Sequence, residues 1–395
     1  MTIHLSERAS NIKPSATLSI NAKANALRAK GIDIINLSTG EPDATSPEAV
    51  CQAAVIAIKQ GHTHYTPVDG IIELKQAVAD KFKRENSLDY DLSQVIVSTG
   101  AKQVLYNACQ AILNPGDEAI IPAPYWVSYP AMVTLAGATP VIVETTEEQS
   151  FKITPKQLED AITEKTKLLF LCSPSNPTGM VYSSEELIAL ADVIKKHPNL
   201  IVISDEIYEH VRWDGKDADN IINVCPELYD RTLVVNGVSK VYAMTGWRIG
   251  YAGGPKALIA GMKKIQGHST SGPCANAQYA ALKALTMDQT IVDTYRKNYH
   301  ERYLIAEEKI KTIPLVSALP TFATFYLFIN VKALVQAKGL DDDVALCHAL
   351  LEDAHIAVVP GTAFGAPGYV RMSLALATDN LVEALNRLNN YCSTI

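Results

Sequence analysis

Between residues 47 and 285, short runs of β-branched and other apolar residues alternate with longer stretches whose apolar positions recur at helical spacing. The runs fall at 95–97, 118–121, 140–143, 168–171, 200–203 and 232–235. Strands separated by amphipathic helices predict an α/β fold, a mostly parallel sheet with helices on both faces. Sheets of this kind hold ligands at the carboxyl ends of their strands. Beyond Met287 the pattern changes to a long charged helix over 288–312, an aromatic strand over 324–330 and a helix near 341–354. The loop PGTAFGAPG (360–368), a strand over 369–374 and a final helix over 379–391 follow. We therefore expect a large domain over 47–287, a smaller α/β domain over 288–395, and an N-terminal segment, 1–46, that forms an arm and part of the smaller domain. No internal repeat or low-complexity tract interrupts this plan.

The polar residues that break the apolar pattern gather at the predicted strand ends. STGAKQ (98–103) follows Val97, SPSNPTG (173–179) follows Leu171, Asp205 follows Ile203, and Lys240 follows the run ending at Val235. In SKVYAMTGWRIGY (239–251) Lys240 and Arg248 stand in an otherwise uncharged, apolar context. Desolvation there lowers a lysine's pKa and frees its amine to act as nucleophile or base. Asp205 ends an apolar strand, where an unpaired carboxylate is costly and a cationic partner would offset the cost; a helix N-cap is the plainer use. Gly100 marks a strand-to-helix turn whose free amides suit a phosphate dianion, although alone the turn reads as an ordinary one. Taken singly, NPTG is a turn and Trp126 of PYWVSYP is packing. Arg371 of YVRMSLAL needs either a carboxylate partner or an edge facing water. Together, an amine, a carboxylate, a phenol (Tyr208), an amide (Asn176) and a phosphate cradle suit pyridoxal phosphate, an aldehyde whose ring nitrogen needs a carboxylate partner.

In these motifs, ordered from Lys13 to Arg371, the chain resembles the class I aminotransferases of pyridoxal-phosphate fold type I, closest to their bacterial aspartate aminotransferase branch. The resemblance implies ping-pong transfer of an amino group to a 2-oxo acid by a homodimer with shared active sites. It implies that Lys240 binds pyridoxal 5′-phosphate and then shuttles a proton. Asp205 would pair with the ring nitrogen, Asn176 and Tyr208 would hydrogen-bond the ring hydroxyl oxygen, and Trp126 would stack on the ring. Gly100 and the amides of Ala101 and Lys102 would hold the phosphate, with a charged contact from Arg248 and a reach from Tyr65 of the neighbouring subunit. Arg371 would clamp the substrate α-carboxylate beside Trp126, helped by Asn176 and the backbone of Gly40.

Side-chain specificity follows less directly. The other main branch binds the distal carboxylate with an arginine of the neighbouring subunit, and QGHSTSGPCAN (266–276) contains none. The resemblance implies instead the KPSAT arm, with Lys13, Ser15 and Thr17, together with Lys102. A dicarboxylic pair, aspartate or glutamate with its oxo acid, is expected; related enzymes also accept prephenate or aromatic oxo acids. Where the family commonly shows GAFY this chain has ATFY (323–326) after Phe322. A missing glycine and an added aromatic beside the substrate mouth are expected to alter which side chains fit. Other fold type I lyases start from the same lysine, and Arg371 with Lys102 favours amino transfer over them.

Bulk properties exclude several other classes. A net charge of -7 without basic blocks argues against nucleic-acid binding. About 30 residues precede the first core strand, too few for a helix-turn-helix extension. No GxGxxG follows an early strand, which argues against a nicotinamide-binding fold. The start, MTIHLSERASNIKPSA, lacks the apolar core of a secretory signal, and no apolar run reaches the roughly 18 residues of a membrane span, so a cytoplasmic protein is expected. Seven cysteines without a CxxC pair fit a reducing compartment. His62, His64 and His210 lack a third ligand at metal-binding spacing, and no metal is expected.

Overall fold

The computed structural model describes residues 3–12, 14, 16–215 and 219–394. Seven strands form one sheet: β1 (Val95–Ser98), β2 (Glu118–Ala123), β3 (Thr139–Glu144), β4 (Thr166–Cys172), β5 (Ile201–Asp205), β6 (Thr232–Gly237) and β7 (Gly250–Gly253). Their order is β1-β7-β6-β5-β4-β2-β3. Neighbours pair in parallel except at β7, which runs antiparallel to both β1 and β6. Successive residues of the inner strands divide between two cores. Leu169, Val202 and Val234 join one, and Leu168, Ile203 and Val235 join the other. Both faces are covered, so these strands read as unbroken apolar runs instead of alternating ones.

The sequence pattern misses β7, whose glycines depress strand propensity. They are there because neighbours press on the strand: a Cβ on Gly250 would lie 2.0 Å from the Ala101 nitrogen, and one on Gly253 would lie 2.3 Å from the Tyr90 ring. The reversed strand thereby brings Arg248 back beside the start of the helix Ala101–Ile112.

A second, antiparallel sheet comprises β8 (Ser317–Ala318), β9 (Tyr326–Asn330), β10 (Val359–Pro360) and β11 (Tyr369–Ser373), in the order β10-β11-β9-β8. Its β11 places Arg371 opposite Phe328 on one side and Val359 on the other. The predicted strand over 324–330 begins only at Tyr326, because Thr324 lies in the left-handed region at φ 67°. That residue is held there by a hydrogen bond of 2.7 Å from its amide to the Val211 carbonyl. The N-terminal segment joins this half of the molecule: Ile35–Asn36 pairs in parallel with Ile356–Ala357, and Ile20 and Ala24 share a core with Leu327, Leu350 and Leu385. The loop over 360–368 is tied down by Asp343, which accepts from Thr362 and from the Gly368 amide. Among the described residues no helix is long and apolar enough to cross a membrane.

Candidate active site

A cavity of about 520 Å³ opens at the carboxyl ends of β4, β5 and β6 and is closed on its far side by β11 and the segment around Gly40. Its described lining carries four cationic side chains, Lys102, Lys240, Arg248 and Arg371, against two carboxylates, Glu41 and Asp205. Such a surplus of positive charge in a partly desolvated hollow calls for anionic ligands.

Lys240 lies just beyond the end of β6, and its Nζ donates to the Gly40 carbonyl at 2.5 Å. Burial lowers its pKa to about 8, helped by the charges of Arg371 and Arg248 and opposed by Glu41 and Asp205. Asp205 ends β5 and is 4% exposed. It accepts from the Tyr129 hydroxyl at 2.6 Å and from the Ile207 amide at 3.4 Å. Burial pushes its carboxyl up in spite of those bonds. A cation beside it would restore the ordinary ionised form. The Tyr208 hydroxyl shares a 2.9 Å hydrogen bond with that of Tyr326.

Arg371 is 3% exposed and pairs with no carboxylate among the described residues. One of its terminal nitrogens donates to Asn176 Oδ1 at 2.9 Å and the other to the Ser38 carbonyl at 3.0 Å, while its buried Nε has no partner. The guanidinium lies against two aromatic rings, with its Cζ 4.3 Å from the centroid of Tyr326 and 4.9 Å from that of Phe364. A buried cation held only by neutral oxygens and aromatic faces is built to receive an anion. Gly40 must be a glycine here, since a Cβ would come within 2.8 Å of the Tyr326 hydroxyl.

At the opposite wall the helix Ala101–Ile112 begins without a side-chain cap, and among the described residues the amides of Ala101 and Lys102 have no acceptor. Gly100, at φ 80°, lets Arg248 approach: a Cβ there would meet its guanidinium at 2.5 Å. Arg248 itself is left-handed, at φ 59°, and donates to the Thr245 carbonyl. Free helix-start amides beside an arginine form a pocket for a phosphate-sized dianion. Lys102 extends over the Trp126 ring, its Nζ 4.9 Å from the centroid. Burial and the Arg248 charge lower its pKa.

Of the residues singled out from sequence, Gly40, Ala101, Lys102, Trp126, Asn176, Asp205, Tyr208, Lys240, Arg248, Arg371 and Thr17 line this one cavity. Gly100 stands directly behind it. Tyr65 does not line it and is 96% exposed. Lys13 and Ser15 lie outside the described residues. NPTG is both turn and site: Gly179, at φ 71°, packs against the Ala323 carbonyl while Asn176 enters the cavity. Phe322 is not among the residues that line the cavity; it is 46% exposed and its carbonyl accepts from the Trp213 amide. The aromatic of that segment that does face the cavity is Tyr326.

Sequence reasoning missed Tyr129, Tyr326, Phe364 and Glu41. Tyr129 carried a local signal, three residues after Trp126 in the same PYWVSYP motif, at the start of the helix Tyr129–Leu135. Among the described residues, the one grouping with metal-ligand spacing is Glu85, Glu209 and His210. The Lys81 ammonium already stands there, paired with Glu209 and 3.6 Å from Glu85.

An amine, an unpaired acid, an anion cradle and an unpaired guanidinium around one cavity match the expected transferase chemistry, and the family comparison agrees. Residues 32–388 match the family model described as aminotransferase class I and II, and the chain belongs to that family. It is an enzyme that moves amino groups between amino acids and 2-oxo acids. The chain is 47% identical to an aspartate/prephenate aminotransferase of Nitrosomonas europaea, over 98% of this chain and 100% of that one. Among solved structures, the aspartate aminotransferase of Rhizobium meliloti superposes with a TM-score of 0.94 at 41% identity, covering 99% of both chains. That of Thermus thermophilus with maleate gives 0.92 at 44% identity, covering 99% of this chain and all of the other.

Proposed function

We propose that the chain binds pyridoxal 5′-phosphate at Lys240 and carries the amino group of aspartate or glutamate to a 2-oxo acid. The observation that carries this reading is Arg371, a buried guanidinium without a carboxylate partner among the described residues, which lines the same cavity as an amine whose pKa is about 8. The described residues fit the cofactor. The free amides of Ala101 and Lys102 with Gly100 and Arg248 suit its phosphate, Asp205 suits its ring nitrogen, and Asn176 and Tyr208 suit its ring oxygen. Trp126 offers a face for the ring.

When bound, pyridoxal phosphate supplies an aldehyde that condenses with amines and a ring that withdraws electrons from the bond to be broken. The chain supplies the rest. Arg371 and Asn176 hold the α-carboxylate and so fix which bond at Cα is exposed to Lys240. Lys240 Nζ, as a neutral amine, takes the proton from Cα. Asp205 keeps its charge by facing a cation, and Tyr129 holds it in place. Tyr129→Phe is therefore expected to weaken cofactor retention by about tenfold or more, as the loss of a charged hydrogen bond would. Equilibrium dialysis of the two proteins would test this, and equal retention would remove Tyr129 from the site.

Lys102, and Thr17 with Lys13 and Ser15 of the arm, are the proposed partners of a distal carboxylate. The maleate of the Thermus structure, a four-carbon dicarboxylate, supports that preference. A second reading, with prephenate or an aromatic oxo acid as acceptor, is favoured by the apolar lining from Leu18 and Val127 and by the name of the Nitrosomonas relative. We read the protein as a homodimer in which Tyr65 reaches the neighbour's phosphate. The exposed apolar side chains Val55, Ile56, Ile58 and Ile72 support a partner there. Residues 47–287 are read as the cofactor-binding domain. Seven unpaired cysteines support a reducing, cytoplasmic setting.

The deciding experiment is the visible spectrum of the purified holoenzyme during titration with L-aspartate alone. Conversion of the aldehyde form of the cofactor to its amine form, with one oxaloacetate per site, is expected. A cofactor band indifferent to aspartate but responsive to an aromatic donor would favour the second reading. A protein that takes up no pyridoxal phosphate would refute both.

A further inference from the structure

Behind the cavity lies a set of buried polar side chains that the chemistry above does not use. Lys81, Asn86, Glu206, Glu209 and Asn236 are each at most 8% exposed, and none lines the cavity. Glu209 is their hub. Its Oε1 accepts from Lys81 and, at 2.6 Å, from Asn236 Nδ2, and its Oε2 accepts from Asn86 Nδ2 at 2.7 Å. Burial alone would raise this carboxyl; the charges of Lys81 and His210 and the hydrogen bonds reverse that and hold it below the ordinary range. Glu209 is thus a rigid, ionised acceptor.

What it joins matters more than its charge. Glu209 follows Tyr208 directly, and its amide bonds to the Glu206 carbonyl, so it moves with the turn that carries Asp205 and Tyr208. Asn236 sits near the end of β6, where its Oδ1 also accepts from the Gly237 amide at 2.8 Å. Lys240 follows three residues after Gly237. The strands β5 and β6 pair only as far as Asp205 and Val235, so beyond that register no bond of their ladder joins the Asp205–Tyr208 turn to the last residues of β6, Asn236 and Gly237, which stay paired with β7. The Glu206 amide to Val235 carbonyl bond and the Glu209 to Asn236 bond take over there.

We propose that the Glu209–Asn236 hydrogen bond sets the spacing between Lys240 and the Asp205–Tyr208 turn, making Glu209 and Asn236 positioning residues for the amine. This rests on the cofactor reading given above. Removing Asn236's amide leaves Glu209 paired with Lys81 and Asn86, so no charge is stranded. Asn86 offers the matched control: it gives the same carboxylate one hydrogen bond but lies on the helix Ile72–Asn86, away from Lys240.

The test compares Asn236→Ala and Asn86→Ala holoenzymes by kcat, by KM for the oxo acid and by the pH midpoint at which the cofactor band changes. Asn236→Ala is expected to shift the midpoint and lower kcat by about tenfold or more with KM little changed, since a small misplacement of a catalytic group is costly. Asn86→Ala is expected to lower Tm by a similar amount but to leave midpoint and kcat as in the parent. If both variants, or neither, move the midpoint, the proposal is overturned and Glu209 is a stabilising hub only. Asn236→Ser, which keeps a polar atom for Gly237, gives the same comparison should the alanine variant not fold. A parent protein that takes up no pyridoxal phosphate overturns the cofactor reading itself, and is recognised before any variant is made.

Discussion

Lys240→Ala is expected to fold, to retain pyridoxal phosphate through the remaining contacts, and to lose amino transfer by roughly 10⁴-fold or more, because one amine serves as both attachment point and proton carrier. The environment explains why this lysine is suited to the task. With its pKa lowered to about 8, about a tenth of it is neutral at pH 7, against about one part in 3,000 for an ordinary lysine. Cofactor uptake by the ligand-free protein should accordingly rise about tenfold per pH unit and flatten above about pH 8, since the neutral amine is the nucleophile. Removing a buried amine that ionises at a cost should not destabilise the fold. Stopped-flow uptake and single-turnover rates measure both effects. Near-parental turnover by the alanine variant would end the assignment.

The second large effect is expected at Arg371. Arg371→Lys keeps the charge but loses the planar fork whose terminal nitrogens reach Asn176 Oδ1 and the Ser38 carbonyl. We expect kcat/KM for the amino acid to fall by about 10²–10³, as for a lost bidentate clamp, with cofactor affinity changed less than about twofold. Arg371→Leu separates charge from geometry. The Arg371 charge is one of the causes that hold the Lys240 pKa down, so the leucine variant should move the midpoint of cofactor uptake to higher pH while the lysine variant leaves it nearly in place. Full activity in Arg371→Lys, or an unmoved midpoint in Arg371→Leu, would contradict the role given to this residue.

Much of the site was legible because each group follows its own strand. Val97, Leu171, Ile203 and Val235 end apolar runs, and topology alone carries the residues after them to one edge of the sheet. Tyr326 and Phe364 were not legible, because what matters is their packing against a guanidinium that neither adjoins in the chain. Within the ATFY segment, sequence alone did not tell which aromatic meets the cavity: Tyr326, two residues past left-handed Thr324, lines it, and Phe322 does not. Strand β7 escaped because its glycines answer to contacts with Ala101 and Tyr90, and propensity counts only what a residue does for itself.

The amino-acid sequence by itself determined the α/β class, the chemical inventory and the lysine on which the chemistry turns, since these depend on periodicity and on the order of groups along strands. Tertiary structure alone decided that Arg371 has no anion of its own among the described residues, that Tyr129 holds Asp205, and that Glu209 bonds to Asn236 of the strand that precedes Lys240. Each of those facts is a relation between side chains 27 to 195 positions apart. Whether a charge is paired, and at what distance, follows from the packing of two sheets around one cavity and is encoded in no local stretch of chain.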